Sequence, residues 1–564
     1  MVRMITRPTA RQATPNRTKT IKFSAKLFVP EHTKSSDGSG KSLDDMYSVD
    51  FVNDMIEEGS KSVIYKCIYK ETGEERAVKI VEKSSWNDDE NANIRSEIEL
   101  LRKMDHPNIV RVFSTFEDNK YYYIVMDYCK GGELRDQIIR GTGMSEFYVA
   151  LLIKTVLSTI NYCFLKHGVI HLGLKPENIL LEGHRSVDQM KLIDFGNSKH
   201  APNGIKTERL IGAAAYLAPE SLQYNTYSHK TDIWAIGVIA YMALSGYMPF
   251  EADTDRETLE LVINSKEEVA RKDIFKGDAW ASVSDDAIDF VSQLLSFEAF
   301  KRPSAKDALN HPWIQRVTQA QTEVRQKRDM SLTKIAMDNL FSFRAPTKLQ
   351  QAALTYIASQ CLSQFEKTDI ERIFQTLDLN GLGKLSKEDI KQAHAKYMED
   401  EKDVKKLTNG ELKELFEQVD FVGDQTIDYS EFLVAALPEE KLLTETNIKK
   451  TFHAFDKDGD DIISAEDLKQ VLAPLANDMQ DAASLDRYIQ EKILTQVKTD
   501  KITYDVFAEM LRETKNGPGR DLNRRASDQL TSEEFKMKSA VDQMSISGNV
   551  FDQYRLAFER NLKS

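Results

Sequence analysis

Three short runs between Phe51 and Lys83, FVNDMIEEG, SVIYKCIYK and ERAVKIVEK, carry apolar and β-branched residues at strand spacing and predict three β-strands. The next stretch, NIRSEIELLRKMDHPNI, switches to helical spacing, and YYYIVMDYCKGGEL predicts a further strand that runs into a Gly-rich turn. The most apolar run, Ile233 to Leu244, is interrupted by Gly237 and falls short of the roughly 20 residues a membrane span needs, so a buried core helix and no transmembrane segment is expected. Leu349, Ala353, Ile357 and Cys361 recur every four residues and predict a helix with one apolar face. From residue 366 to 513 a unit of helix, acidic loop and helix recurs, with loops beginning at Asp378, Asp420, Asp456 and Thr495, spaced by 42, 36 and 39 residues.

Composition narrows the picture. A chain of 564 residues is too long for one core and suggests roughly three to four domains. A net charge of −13 argues against a nucleic-acid partner and fits acidic cation-binding loops. Cys67, Cys129, Cys163 and Cys361 show no CxxC spacing, which points away from disulfides or zinc and toward a reducing, cytoplasmic setting. With Val at position 2, no N-terminal myristoylation signal is expected. Residues 1–46 are rich in Thr, Ser, Arg and Lys, with no acidic residue before Glu31, and are expected to form a disordered basic tail. Contact with an anionic membrane or an acidic partner, a transit peptide, or a plain solvated tail all fit that composition.

The chemistry-bearing motifs stand in one order: AVK at Ala77 to Lys79, HLGLKPEN at His171 to Asn178, KLIDFGNSK with Asp194 to Gly196, APE at Ala218 to Glu220, KRPS with Arg302, and HPW at His311 to Trp313. Together they resemble the protein kinases, and the resemblance implies a two-lobed kinase domain over 47–314. It implies that Lys79 pairs with ATP phosphates and with Glu97. Met126 becomes the gatekeeper, and the backbone of Asp127 to Cys129 bonds adenine. Gly59, Ile64, Ala77, Leu180 and Glu133 complete the cofactor site. Glu133 and Glu177 also read basic substrate residues, and Asn178 and Asp194 hold Mg²⁺. Aligned on the family's three loop glycines stand Glu57, Gly59 and Ser62, of which only Gly59 is a glycine. Arg302 is expected to pair with Glu220.

The acidic repeats match EF-hand loops, which place oxygen ligands at positions 1, 3, 5, 7, 9 and 12 and glycine at 6. The third loop fits calcium best, with Asp456, Asp458, Asp460, the Ile462 carbonyl, Ser464 and Asp467, although Asp461 replaces the glycine and Asp467 the longer glutamate. The first keeps Asp378, Asn380, Ser386 and Asp389 but has Leu382 at position 5. The second keeps Asp420, Asp424, Asp428 and Glu431 but has Val422 at 3 and Gln425 at 6. Both read as weak calcium sites or structural pairs. The fourth, from Thr495 to Val506, lacks both terminal carboxylates and is expected not to bind.

Kinase motifs followed by such loops resemble the calcium-dependent protein kinases of plants and protists. The fold class expected is therefore α+β: a two-lobed kinase fold followed by an all-α, calmodulin-like module of four EF-hands in two pairs. The segment 315–365 resembles the family's helical junction, with EF-hand pairs over 366–438 and 439–513 and a flexible tail over 514–564. The junction's apolar face suits docking in the kinase cleft, in the EF-hand module, or as a plain interdomain stripe. RRAS at Arg524 to Ser527 resembles a basophilic kinase site. The terminal VFDQYRLAFERNL suggests a short helix.

One position changes the functional expectation. Where the resemblance implies a catalytic aspartate, the chain has Gly173, beside Lys175, Asn178 and Asp194, which complete the catalytic set. Leu172 replaces the neighbouring arginine, and Ala213 replaces the threonine that bonds the aspartate. A general base contributes about 10²- to 10⁴-fold. The expectation is a calcium-responsive pseudokinase regulator or scaffold that binds Mg·ATP, with protein partners the sequence does not identify. The alternative is a calcium-regulated serine/threonine kinase of low or unconventional activity.

Overall fold

The computed structural model of the chain describes residues 31–33, 42–59, 62–83, 88–138, 143–183, 189–270, 272–316, 329–345, 347–362, 364–398, 407–421, 423–476, 486–487, 489–495, 499 and 501–512. The basic run before Glu31, Val422, the RRAS motif and the terminal VFDQYRLAFERNL lie outside them.

The strand-spaced runs build one sheet from β1 (Glu31–Thr33), β2 (Tyr47–Val49), β3 (Met55–Glu58), β4 (Ser62–Tyr69), β5 (Glu75–Glu82), β6 (Val112–Glu117) and β7 (Tyr121–Asp127). The order is β1-β6-β7-β5-β4-β2, with β3 also on β4. Two segments correct the expectation of a disordered tail through residue 46. β1 pairs in parallel with β6, and a helical turn, α1 (Leu43–Met46), leads into β2. Leu43 and Tyr47 are buried with Cys67, Val78, Phe113 and Val125, and that apolar burial holds the segment on the sheet. FVNDMIEEG is strand only in its second half, because the Asp50 carboxylate accepts the amides of Val52 and Asn53 and turns the chain first.

Helix α2 (Asp88–Lys103) carries Glu97 to the sheet. Below it, α3 (Glu146–His167), α4 (His229–Ser245) and α5 (Asp285–Leu294) share a second apolar core. α3 is long and apolar enough to cross a membrane by length and composition, a feature the sequence reading missed. However, 67% of its apolar window is buried inside the fold, as in a core helix. The four cysteines are free and buried.

The second half places α6 (Asp329–Ser342), then α7 (Lys348–Tyr356), which Thr347 caps by accepting the Gln350 amide. α7 runs on as a π-helical turn over Ile357–Cys361. Further helices follow: α8 (Gln364–Leu377), α9 (Lys387–Met398), α10 (Asn409–Val419), α11 (Tyr429–Ala436), α12 (Glu445–Phe455), α13 (Ala465–Ala476) and α14 (Tyr504–Arg512), with a single helical turn at Glu439–Leu442 and a π-helical stretch at Ile489–Leu494 between them. The acidic loops lie between helices and pair through short strands, with Leu385 opposite Ile427 and Ile463 opposite Ile502. Each of these four residues is the eighth of its loop, so the register agrees with a fourth loop that starts at Thr495. The apolar stripe Leu349, Ala353, Ile357 and Cys361 is buried in this helical core, which selects one of the docking options its sequence left open.

Arg302 is 1% exposed and grips Glu220 with two bonds of 2.8 and 2.7 Å, while also donating to the carbonyls of Ser296, Phe297 and Lys230. Removing one partner of such a pair strands a buried charge. Arg302→Ala is therefore expected to cost about 3–5 kcal/mol. Urea unfolding followed by tryptophan emission reads it, since Trp234 lies 5.0 Å from the guanidinium.

Candidate functional site

The cleft between sheet and helices is organised by a carboxylate that the sequence reading did not single out. Asp232, in the first turn of α4, accepts the backbone amides of His171 and Leu172 at 2.8 and 2.9 Å. Burial pushes its carboxyl above the ordinary range, and the two amide bonds oppose that. The signal available in the sequence was an acidic residue opening an otherwise apolar helix. Leu172 takes a left-handed backbone with φ of 59°, and Asp194 one of 60°, conformations that are rare outside glycine and concentrate at functional sites.

From this brace the site groups follow. The Gly173 carbonyl accepts Asn178 Nδ2 at 2.7 Å, and the same amide lies 3.4 Å from Asp194 Oδ2. Phe195 is buried with its ring 4.6 Å from that of His171. His171 Nδ1 accepts the Gly173 amide, and burial pulls the imidazole down to about 4, so the ring is neutral. On the sheet, Lys79 Nζ lies 3.4 Å from Glu97 Oε1. Burial pulls the Lys79 ammonium down, but the carboxylates of Glu97 and Asp194 outweigh it and hold it above its usual value. The paired charges of Lys79, Glu97 and Asp194 therefore face one space. Asp194 and Asn178 supply oxygen donors that fit Mg²⁺.

The register sets Ile64 opposite Lys79 and Ala77 opposite Met126. Leu180 bridges Glu133, and Cys129 is buried at the hinge. The Asp127 side chain turns to the rear, where it accepts the Arg111 amide at 2.7 Å. The β3–β4 turn closes through the Gly59 amide on the Ser62 carbonyl. Burial, then Glu57, Asp136 and Glu177, raise the Glu133 carboxyl, so the cleft mouth is acidic. Arg135 offsets one charge by pairing with Glu177 at 2.9 Å.

Gly173 and Ala213 line the same cavity of about 120 Å³, together with Lys175, Asn178, Asp194 and Asn197. A Cβ built on Gly173 meets nothing nearer than 3.5 Å, so the backbone still has room for a side chain there. Leu172 is buried among Ile170, Ala201 and Tyr227, with Ile205 and Ile211 packed on them, and an apolar contact therefore holds the stretch between Gly196 and Ala218, which the kinase resemblance makes the activation segment.

The acidic loops differ in the same way as their sequences. In the third, carboxylate oxygens of Asp456, Asp458 and Asp467 lie within 4.8 Å of one another. Asp456 accepts the amides of Gly459, Asp460 and Asp461, and Asp467 those of Lys457 and Ser464. Asp461 adopts the left-handed backbone usually given to glycine, with φ of 62°. Burial, then the neighbouring Asp460, Asp467 and Asp456, raise the exposed Asp458 carboxyl. The Ile462 amide donates to Asp460, in a strand that leaves Ser464 one residue beyond.

In the first loop Asp378 accepts the amides of Leu382 and Gly383, Asn380 donates to Asp389, and Ser386 also bonds Asp389. Burial pushes Asp378 up to about 7. In the second, Asp420 holds its own loop amides, Glu431 accepts the Asp428 amide, and Asp424 and Asp428 are paired with lysines. Those lysines, Lys384 and Lys166, were also missed. Lys384 was legible as a cation inside an acidic loop, whereas nothing in the sequence marked Lys166.

A protein kinase domain model matches residues 52–314, an EF-hand domain pair 367–437 and an EF-hand domain 447–478. Among curated proteins the chain is similar to calcium-dependent protein kinase 4 of Plasmodium falciparum, 36% identical over 410 residues, which cover 71% of this chain and 75% of that one. It is also similar to calcium-dependent protein kinase 5 of the same organism, 32% identical over 476 residues with 84% and 79% covered. Calcium-dependent protein kinase 7 of Arabidopsis thaliana is 33% identical over 486 residues, 85% of each chain.

Asp232→Ala leaves two buried amides without their acceptor, at about 1–3 kcal/mol each. The expected outcome is a destabilised chain with faster amide exchange at His171 and Leu172 than in the unaltered protein, read by hydrogen-exchange mass spectrometry.

Proposed function

The chain belongs to the calcium-dependent protein kinase family, and on that premise we propose that it is a calcium-responsive pseudokinase, which holds Mg·ATP and transfers its phosphate poorly or not at all. The observation that carries this reading is the cavity shared by Gly173 and Ala213. Phosphoryl transfer needs a group that orients the attacking hydroxyl and accepts its proton. The two side chains that would supply and steady that group are both missing from one space.

The groups that hold nucleotide persist. Lys79, paired with Glu97, faces the phosphates, and Asp194 with Asn178 would hold Mg²⁺. Ile64, Ala77 and Leu180 enclose adenine, against the backbone of Asp127 to Cys129. Bound Mg²⁺ would neutralise phosphate charge at Asp194. Glu57, in strand β3 just ahead of the β3–β4 turn, works against phosphate binding and favours weak affinity.

The helix, loop, helix repeats read as four EF-hands in two pairs, supported by the eighth-position register of their strands. Calcium is assigned to the third loop, whose Asp456, Asp458 and Asp467 converge. Asp467 is one methylene shorter than glutamate, which weakens calcium and improves the standing of magnesium. Occupancy there would act on partners through the junction helix rather than through turnover.

A second reading, a serine/threonine kinase of low activity, is favoured by the formed Lys79–Glu97 pair and the inward Phe195. Incubation with γ-labelled ATP separates the two. The unaltered chain is expected to show no calcium-stimulated incorporation, and Gly173→Asp with Ala213→Thr to gain about 10²- to 10⁴-fold. Transfer by the unaltered chain that Lys79→Met and Asp194→Ala abolish would establish the second reading instead.

A calcium titration followed by small-angle scattering addresses the other half. Asp456→Asn is expected to remove the calcium-dependent change in the profile, and a response that survives it would place the sensor elsewhere.

A further inference from the structure

The second acidic loop is filled by protein cations. Lys166, at the end of α3 in the kinase domain, places its ammonium 2.5 Å from Asp428 Oδ1, with both side chains largely buried. Lys384, the seventh residue of the first loop, lies 2.7 Å from Asp424 Oδ2 and 3.2 Å from Thr426 Oγ1. Asp424 and Asp428 are the fifth and ninth residues of their loop, two of the carboxylates a calcium ion would need. Each already has a positive charge at hydrogen-bond distance.

The surface around Lys166 is built to match. Asp105 of the kinase domain accepts both the amide and the hydroxyl of Ser430, at 3.1 and 2.6 Å. Asn161 donates to the Gly381 carbonyl at 2.9 Å, and Gln375 to Asn108 at 3.0 Å. Gly383 lies against the rings of Tyr162 and His106 so closely that a Cβ would meet them at 2.4 and 2.6 Å. Gly383 is left-handed, with φ of 63°, so both the turn and the close approach require glycine. Asp105, Asn161, Tyr162 and Lys166 belong to the kinase domain, and they reach both loops of the first pair at once.

We propose that the second loop is a receptor for the Lys166 ammonium rather than a calcium site, and that this lysine fastens the first EF-hand pair to the kinase domain without calcium. A divalent ion at Asp424 and Asp428 would have to displace two ammonium groups that are already hydrogen-bonded. Docking and metal occupancy of this loop therefore exclude each other. The calcium response then lies with the second pair, whose Met510 carbonyl accepts Gln350 Nε2 of junction helix α7. That last consequence rests on the third-loop reading above, whereas the lysine dock does not.

The test uses the full chain, stripped of metal with EDTA. Calcium calorimetry on Asp456→Asn, with both lysines present, is expected to show no binding. Heat that Asp428→Asn then abolishes would overturn the proposal. Separately, Lys166→Glu sets a carboxylate against Asp428 and is expected to lengthen the particle in small-angle scattering without calcium. The exchanged pair, Lys166→Asp with Asp428→Lys, is expected to restore the compact profile and guards against simple misfolding. A Lys166→Glu profile identical to the unaltered chain would overturn the dock. Failure of the unaltered chain to bind calcium at all would remove the third-loop reading and leave the scattering result to judge the dock.

Discussion

The bonds from Asp232 to the amides of His171 and Leu172 set the geometry on which the cleft depends. They fix a loop whose next members pass the constraint along, from the Gly173 carbonyl to Asn178 and from Asn178 to Asp194. The brace acts on backbone groups. It does not depend on which side chains occupy positions 172 and 173, so the loop keeps its shape with Leu172 and Gly173 in place. Leu172 even adds apolar contact with the activation segment, where an arginine would have contributed charge.

The same substitution of one physical means for another recurs in the second half. EF-hand loops concentrate carboxylates whose repulsion a metal ordinarily relieves. Here the third loop keeps that arrangement, with carboxylate oxygens of Asp456, Asp458 and Asp467 within 4.8 Å of one another. In the second, lysines relieve the repulsion, one from the adjacent loop and one from the kinase domain. A fixed ammonium cannot leave as calcium can.

Much of this was legible in the sequence because it rests on local patterns. The strands of residues 55–82 and the loop starts follow from spacing, and the Lys79–Glu97 and Arg302–Glu220 pairs from the resemblance to the protein kinases. The strand at 31–33 and the turn at 43–46 were not legible, because a polar composition hid the two apolar residues, Leu43 and Tyr47, that tie the segment down. Asp232 escaped notice because its partners are backbone amides some sixty residues away, and amides leave no trace in a sequence. The Lys166–Asp428 contact spans 262 residues and joins two surface-type charges whose meeting only the tertiary structure reveals. Leu349 to Cys361 gave the right face but could not say which core would receive it.

Under the proposed function, the cleft holds nucleotide without using it. The most direct measurement is calorimetric titration of the full chain with Mg·ATP, followed by recovery of the nucleotide and intact-mass analysis of the protein. A pseudokinase is expected to show saturable binding, ATP recovered unchanged and a protein of unaltered mass. Recovered ADP together with a phosphorylated chain, or no binding heat at all, would contradict it.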